Sequence, residues 1–262
     1  REYQYTLDLI ETLSKVATEG EILRLLINIA PRLGKTQFAV IFFIAWCIAK
    51  NPGARFIHLS FSDELALDNS SKIKDLILSD EFQELWPIKP KDDAKSKRKW
   101  YTEQGGGVYA TSTGGAVTGF GAGSATDGFE EDLSKEHWSE LQEKYKDQAL
   151  DISDFLVEPP AESGLFWGAI IIDDPLKPKD ANSPVRRRAV NEMLLSTVQS
   201  RVNSTKTPII LIMQRIHEED PCGFLLDPKK GTGDKWTHLC FASLLEDKDG
   251  NEYSICEDRL PL

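Results

Sequence analysis

Short apolar runs alternate along the chain with longer segments of mixed polar and apolar residues. Three runs are mostly apolar, at residues 23–30, 168–172 and 208–213, and residues 55–61 are a further strand candidate of mixed character. Such runs are typical of strands buried on both faces of a parallel sheet. Three intervening segments have helical composition: residues 35–49, 63–79 and 184–202. The alternation predicts an α/β fold with a mostly parallel central sheet flanked by helices.

Polar and glycine positions refine this outline. Ser62 or Asp63 is placed to cap the second helix, and Ser183 precedes Pro184 at the start of the third. Residues 100–104 and 108–113, joined by three glycines, predict a hairpin. A glycine-rich loop follows at residues 114–123, and residues 236–244 predict a last strand before a polar tail.

The first predicted strand leads into a segment that suits a phosphate-binding loop. Residues 28–36 read Asn-Ile-Ala-Pro-Arg-Leu-Gly-Lys-Thr and enter an apolar helix. The strand, loop and helix context is the one that such a loop requires. The nucleotide-binding residues predicted here are Pro31, Arg32, Leu33, Gly34, Lys35 and Thr36. The standard pattern is Gly-x-x-x-x-Gly-Lys-Ser/Thr, and its first glycine is replaced here by Ile29. The alternative is therefore an ordinary helix start.

Three side chains of this loop have predicted roles. We expect Lys35 to reach the β- and γ-phosphates of ATP and the Thr36 hydroxyl to hold Mg²⁺. Arg32 is a further catalytic candidate, because a guanidinium inside the loop can contact the γ-phosphate.

Two carboxylates follow another buried strand. Residues 169–175 read Ala-Ile-Ile-Ile-Asp-Asp-Pro, and ligands bind at the carboxyl ends of strands in open α/β sheets. We expect Asp173 to hold the hydration shell of Mg²⁺ and Asp174 to orient or deprotonate the attacking water. Many such ATPases carry glutamate at the second position, and Asp174 is one methylene shorter. The alternative is an ordinary Asp-Asp-Pro turn.

Gln214 follows the strand at residues 208–213 and is predicted to sense the γ-phosphate and couple its state to the next segment. A solvated strand end is the alternative. An arginine near the γ-phosphate is also expected to stabilise developing charge. The candidates are Arg32, Arg201 and the run at residues 186–188. For the run, a solvated helix face or a phosphate-backbone contact is favoured over a catalytic finger.

Charge and composition narrow the class of protein. The formal charge is -11 at pH 7, which argues against a simple nucleic-acid coat. The charge is uneven, because residues 124–167 contain twelve acidic and three basic side chains. A local basic surface elsewhere therefore remains compatible with DNA contact.

The sequence also bears on location. It shows neither a run of about 18–20 apolar residues nor a secretory signal pattern. Its four scattered cysteines predict reduced thiols in a cytosolic compartment.

Five ordered motifs together resemble the large subunits of phage terminases, the DNA-packaging motors. They are the loop at residues 25–36, the second-strand segment 59–66, the glycine-rich region 105–122, the acidic strand 171–177 and the coupling segment 212–220. The resemblance covers about residues 21–226 and is interrupted by the acidic segment.

This resemblance implies a RecA-like P-loop ATPase that uses ATP and Mg²⁺ to move double-stranded viral DNA into a procapsid. It also implies a homo-oligomeric ring (the isolated domain being monomeric), a portal protein and a small terminase subunit as partners, and the host cytoplasm as location, with no membrane. Residues 1–262 would form the ATPase domain, with an acidic helical insertion at about 124–165. Residues 227–262 would begin a lid or linker toward a nuclease domain outside this chain.

The chain departs from the family pattern at two places. Phe120 stands where many members of the family carry an arginine, so the trans-acting arginine finger is unassigned. This strengthens Arg201 as a candidate for that role. The acidic insertion matches nothing in the family, and it is either a partner contact or a solvated excursion. Gln4, beside Tyr3 and Tyr5, is a candidate for adenine recognition. The competing functions are a helicase-like or other P-loop NTPase, a small-molecule kinase, and a nucleotide-binding interaction module without turnover.

Overall fold

A seven-stranded sheet forms the centre of the computed structural model. The described residues are 3–18, 20–91, 96–113, 165–200 (backbone only from 196), 207–231, 233–246, 248, 250–256 and 258. The strands are β1 Arg24–Ile29, β2 Arg55–Ser60, β3 Lys99–Tyr101, β4 Gly107–Ser112, β5 Gly168–Asp173, β6 Ile209–Met213 and β7 Thr237–Phe241. Their order is β3-β4-β2-β5-β6-β1-β7, and only the β3–β4 pair is antiparallel.

Helices flank the sheet along the described chain. They are α1 Gln4–Thr18, a π-helical segment Gln37–Phe42 that continues into α2 Phe43–Lys50, α3 Asp63–Ile77, α4 Asp80–Leu85, α5 Pro184–Ser200 and α6 Pro221–Leu226. A separate two-stranded ribbon pairs β8 Leu244–Glu246 with β9 Glu252–Ser254. The predicted α/β class and mostly parallel sheet are confirmed.

The two faces of the sheet are covered by different helices. Alternate residues of a strand point to opposite faces, so Ile27 and Ile171 join a core with α1, α2 and α3. Leu26 and Ile172 face the other way and pack with α5 and α6. Because both faces are covered, β5 is buried at all six positions and β6 at all five. This explains why these strands read as continuous apolar runs rather than alternating ones.

Several details differ from the sequence prediction. The helix predicted at residues 35–49 contains the π-helical segment, and α1, α4, α6 and the β8–β9 ribbon were not predicted. Ser62 occupies the N-cap position of α3, but its side chain makes no capping hydrogen bond. The neighbouring Asp63 carboxylate instead accepts from the backbone N–H of Ser112 at 2.9 Å and pairs with Arg98. The β3–β4 hairpin was predicted correctly.

Within the described residues, no helix has the length and apolar character needed to cross a membrane.

Candidate functional site

The carboxyl edge of the sheet brings the loop after β1 together with the two acids at the end of β5. The Thr36 hydroxyl donates to Asp173 Oδ2 at 2.6 Å. Lys35 Nζ forms an ion pair with the Asp174 carboxylate. These contacts join residues about 140 positions apart in the chain, and the four side chains form one polar cluster at the edge where ligands of open α/β sheets bind.

The loop itself turns tightly between β1 and the helical segment. Arg32 has φ of 68° and Gly34 has φ of 81°, backbone conformations that reverse the chain direction within a few residues. The Leu33 side chain is fully buried beneath the loop, and the Tyr5 hydroxyl donates to its carbonyl at 3.4 Å. The backbone N–H of Phe38 donates to Gly34 O at 3.0 Å, which begins the helical hydrogen bonding.

Ile29, at the position of the usual first glycine, lies in the core. It is the last residue of β1 and is 2% exposed. The chain leaves the strand after this position, at Ala30, so β1 accommodates an apolar side chain here.

Asp173 is buried with incomplete hydrogen bonding. It is 4% exposed, and within the described part of the chain its Oδ1 atom has no hydrogen-bond partner. Burial is the main cause that raises the pKa of this carboxyl to about 6, and the nearby charge of Asp174 adds to it. The hydrogen bond from Thr36 and the charge of Lys35 act in the opposite direction. An additional positive charge beside Asp173 would stabilise its ionised form.

Asp174 has an unusual backbone conformation. Its φ is 45°, in the left-handed region that few residues other than glycine adopt, although aspartate tolerates it better than most. Its N–H donates to Ile212 O at 2.8 Å, and its carbonyl accepts from the N–H of Phe61 at 3.2 Å. Neighbouring strand ends hold the residue in place, so this conformation directs the Asp174 carboxylate toward Lys35. Strained residues of this kind cluster at active sites.

Thr36 and Asp173 fit the ligand chemistry of Mg²⁺. Both present oxygen atoms, and Asp173 Oδ1 is a buried acceptor that lacks a donor among the described residues. In the same part of the chain, no group of three or more His, Cys, Asp and Glu side chains is arranged to hold a metal ion. Mg²⁺ at nucleotide sites commonly uses one or two protein oxygens together with phosphates and waters, so a two-residue donor set is sufficient.

A third strand separates the loop strand from the acidic strand. β6 lies between β1 and β5, and Gln214 directly follows it. Behind the loop, the buried Asn28 amide donates to Met213 O and Cys222 Sγ, each at 3.1 Å. Asn28 Oδ1 lies 2.7 Å from His238 Nε2 on β7. This network, which sequence reasoning missed, connects the start of the loop to the end of β6.

The segment after Gln214 is held by buried charges. Asp220 is fully buried at the N-cap of α6, and its carboxylate accepts from Arg215 Nε at 2.9 Å and from the Gly223 N–H in the first turn of α6. Glu219 pairs with Arg187 of α5 at 3.2 Å. Arg187 is 7% exposed and also donates to Ala181 O at 2.7 Å. The sequence prediction of a wholly solvated arginine run was therefore wrong for Arg187, because its guanidinium joins α5 to this segment.

The remaining predicted residues are placed as follows. Gln4 lies exposed in α1, and its amide donates to Asp8 at 2.6 Å. Arg32 is exposed on the loop, whereas Arg186 and Arg188 are exposed on α5. Arg201, Phe120 and the acidic insertion lie outside the described residues.

The substitution Asp173→Asn is expected to stabilise the metal-free protein by about 1–3 kcal/mol at pH 7. The folded-state pKa of about 6 lies above the ordinary 3.8, so the folded state keeps this proton to higher pH than the unfolded state does. Asp173 therefore costs stability progressively as pH rises from about 4 to about 6. Urea unfolding in EDTA at several pH values measures the effect, and the gain should shrink as pH falls toward 4.

Asp68→Asn is the matched control, because Asp68 is 53% exposed and paired only with the exposed Lys72. It should leave stability nearly unchanged. A pH-independent effect of Asp173→Asn would contradict the assignment of a buried, perturbed carboxyl.

A scan against protein-family models and a search of curated proteins found no match to this chain. The function has to be argued from the site itself.

Proposed function

We propose that this chain is a Mg²⁺-dependent ATPase domain of the RecA-like P-loop type, and that its ATP hydrolysis drives double-stranded DNA into a viral procapsid. The observation that carries the proposal is the convergence of Lys35 and Thr36 with Asp174 and Asp173. A lysine and a hydroxyl at a helix start, opposite two carboxylates at a strand end, are the groups that bind phosphates, hold Mg²⁺ and activate water.

Each side chain has a role in the proposed reaction. The loop N–H groups and the helix start bind the phosphate oxygens, and Lys35 neutralises charge on the β- and γ-phosphates. Thr36 and Asp173 would hold Mg²⁺, which would neutralise phosphate charge developing in the transition state. Asp174 orients the attacking water and accepts its proton.

The Lys35–Asp174 ion pair suggests how ATP would prepare the site. Lys35 is 8% exposed and its ammonium contacts Asp174 in the structure. An incoming γ-phosphate competes with that carboxylate for the ammonium. Once Lys35 turns to the phosphate, Asp174 loses its ion-pair partner and becomes a better acceptor for the proton of water. ATP binding and activation of the base are thereby coupled through one side chain.

Gln214 and the segment after it form the proposed output of the site. Gln214 follows the strand between the loop strand and the acidic strand, so it is close to both in the sheet order. The segment that follows is tied to α5 by Arg187 and Glu219. A change at the γ-phosphate therefore has a route to α5 through groups that are buried or ion-paired. The DNA-packaging role itself is supported by the five ordered motifs that resemble terminase large subunits.

ATP turnover tests the proposal directly. Phosphate release would be measured with Mg²⁺, with EDTA, and with Mg²⁺ plus double-stranded DNA. We expect Mg²⁺-dependent release that increases with DNA, and a slow basal rate is expected because a partner-supplied arginine contributes roughly 10³–10⁵ in such enzymes.

Other outcomes favour the alternatives. Tight ATP binding without release under any condition would identify a nucleotide-binding interaction module. Phosphate release at the same rate with and without double-stranded DNA would favour another P-loop NTPase.

A further inference from the structure

A cluster of basic side chains surrounds one tyrosine at the antiparallel edge of the sheet. The ring centroid of Tyr101 lies 5.4 Å from Arg55 Cζ, 5.7 Å from Lys91 Nζ and 5.6 Å from Lys99 Nζ. All three distances fall within the range of cation–π attraction. Lys97, exposed just before β3, extends the cluster. We call Arg55, Lys91, Lys97 and Lys99 the basic edge.

Backbone hydrogen bonds hold the basic edge in shape. Lys91 N–H donates to Tyr101 O at 2.9 Å, which aligns residues 89–91 beside the end of β3. Arg55 Nε donates to Gly105 O at 2.7 Å in the hairpin loop. The cations are therefore brought together by the ordered β3–β4 hairpin and its neighbours.

The segment that supplies most of the basic edge has a net positive charge. Residues 89–99 contain six basic and two acidic side chains in a chain whose total charge is -11. Arg98 is neutralised by Asp63, and this pairing lowers the pKa of the Asp63 carboxyl. Among the described residues, neither Lys91 nor Lys97 forms an ion pair. Gathered like charges repel one another, and a polyanion would relieve that repulsion.

We propose that the basic edge binds the phosphate backbone of double-stranded DNA; this rests on the proposed function, which supplies the duplex as partner. Lysines on an exposed edge suit sequence-independent phosphate contact. Single-stranded nucleic acids are usually held by stacking of bases on exposed aromatic rings. Tyr101 is half-buried and its ring already lies close to three cations, which favours phosphate contact by those cations.

The basic edge lies away from the candidate ATP site. Arg55 begins β2, and Tyr101 pairs with Gly107, the first residue of β4. Arg55 and Tyr101 therefore lie where the parallel strands begin, whereas Asp173 lies where β5 ends. Lys99 pairs with Tyr109 in the middle of β4, and β4 and β2 separate β3 from β5 in the sheet. DNA and ATP would occupy separate surfaces of the domain, and neither should displace the other.

The test measures binding of a fluorescein-labelled DNA duplex by anisotropy across a salt series from about 50 to 200 mM. The double variant Lys91→Gln, Lys99→Gln is compared with the control Lys15→Gln, Lys72→Gln, which removes the same charge from exposed sites on α1 and α3. We expect the first variant to bind roughly tenfold more weakly and its log–log salt slope to fall by about 2. The control should bind like the parent, and Mg-ATP should not displace the duplex.

Equal loss in both variants, unchanged binding in the first, or a parent that binds no duplex at low salt would overturn the proposal. So would displacement of the duplex by Mg-ATP, or tighter binding to an acidic protein than to DNA. Phosphate release is measured on the same samples. Loss of turnover with intact, charge-dependent DNA binding would count against the proposed function alone, and the reverse pattern would count against the basic edge alone.

Discussion

Replacing Lys35 with alanine is expected to lower ATP turnover at least about 100-fold, a typical cost of removing one group that stabilises transition-state charge. Lys35 is buried in the candidate site and its ammonium already contacts the Asp174 carboxylate. ATP affinity should fall as well, because the same ammonium binds the phosphates in the ground state.

Asp174→Asn in the same experiment separates binding from chemistry. Asparagine preserves the size of the side chain, and like aspartate it tolerates the φ of 45° at this position. It cannot accept the proton of the attacking water. We therefore expect ATP binding near the parent level and turnover reduced at least about 100-fold. Isothermal titration and phosphate release on the same preparations measure the two quantities.

Lys72→Ala and Asp68→Asn are matched controls for this pair. These residues form an ion pair of the same residue types on α3, and both are more than half exposed. They should leave turnover unchanged. If Lys35→Ala and Asp174→Asn both turned over ATP at the parent rate, the catalytic roles proposed for these two residues would be ruled out.

Gly168→Ala is expected to destabilise the fold much more than Gly20→Ala. Gly168 begins β5 with φ of 123°, a conformation that strains any residue with a Cβ by about 1–3 kcal/mol. An added Cβ would lie 1.7 Å from the Arg55 carbonyl oxygen. β2 and β5 would have to separate at the sheet centre, so we expect a loss of at least about 3 kcal/mol. Thermal unfolding should show a fall in Tm of about 10 °C.

Gly20→Ala isolates the backbone contribution. Gly20 also has positive φ, of 65°, but among the described residues beyond its chain neighbours, no atom lies within 4 Å of an added Cβ. This variant should lose only about 1 kcal/mol. Similar losses at both positions would show that backbone strain, and not the close approach of β2 to β5, makes Gly168 necessary.

The amino-acid sequence by itself determined four parallel strands and the residue types of the candidate site. β1, β2, β5 and β6 were predicted within one or two residues of their observed ends, and for β5 and β6 the reason is that a parallel strand buried on both faces requires a continuous apolar run. Thr36 and Asp173 were both predicted to hold Mg²⁺. Amphipathic α1 was missed, although its buried positions Leu9, Leu13 and Val16 have helical spacing.

Only the tertiary structure decided which of these groups meet. The order β1-β6-β5 fixes the separation between loop and acids, and strand order depends on packing between distant segments that local sequence does not encode. The same packing buries Asp173 and raises its pKa, buries Arg187 against Glu219, and gathers three cations around Tyr101. Local patterns specify residue types and elements, whereas distances, burial and charge environments arise when the sheet brings remote residues together.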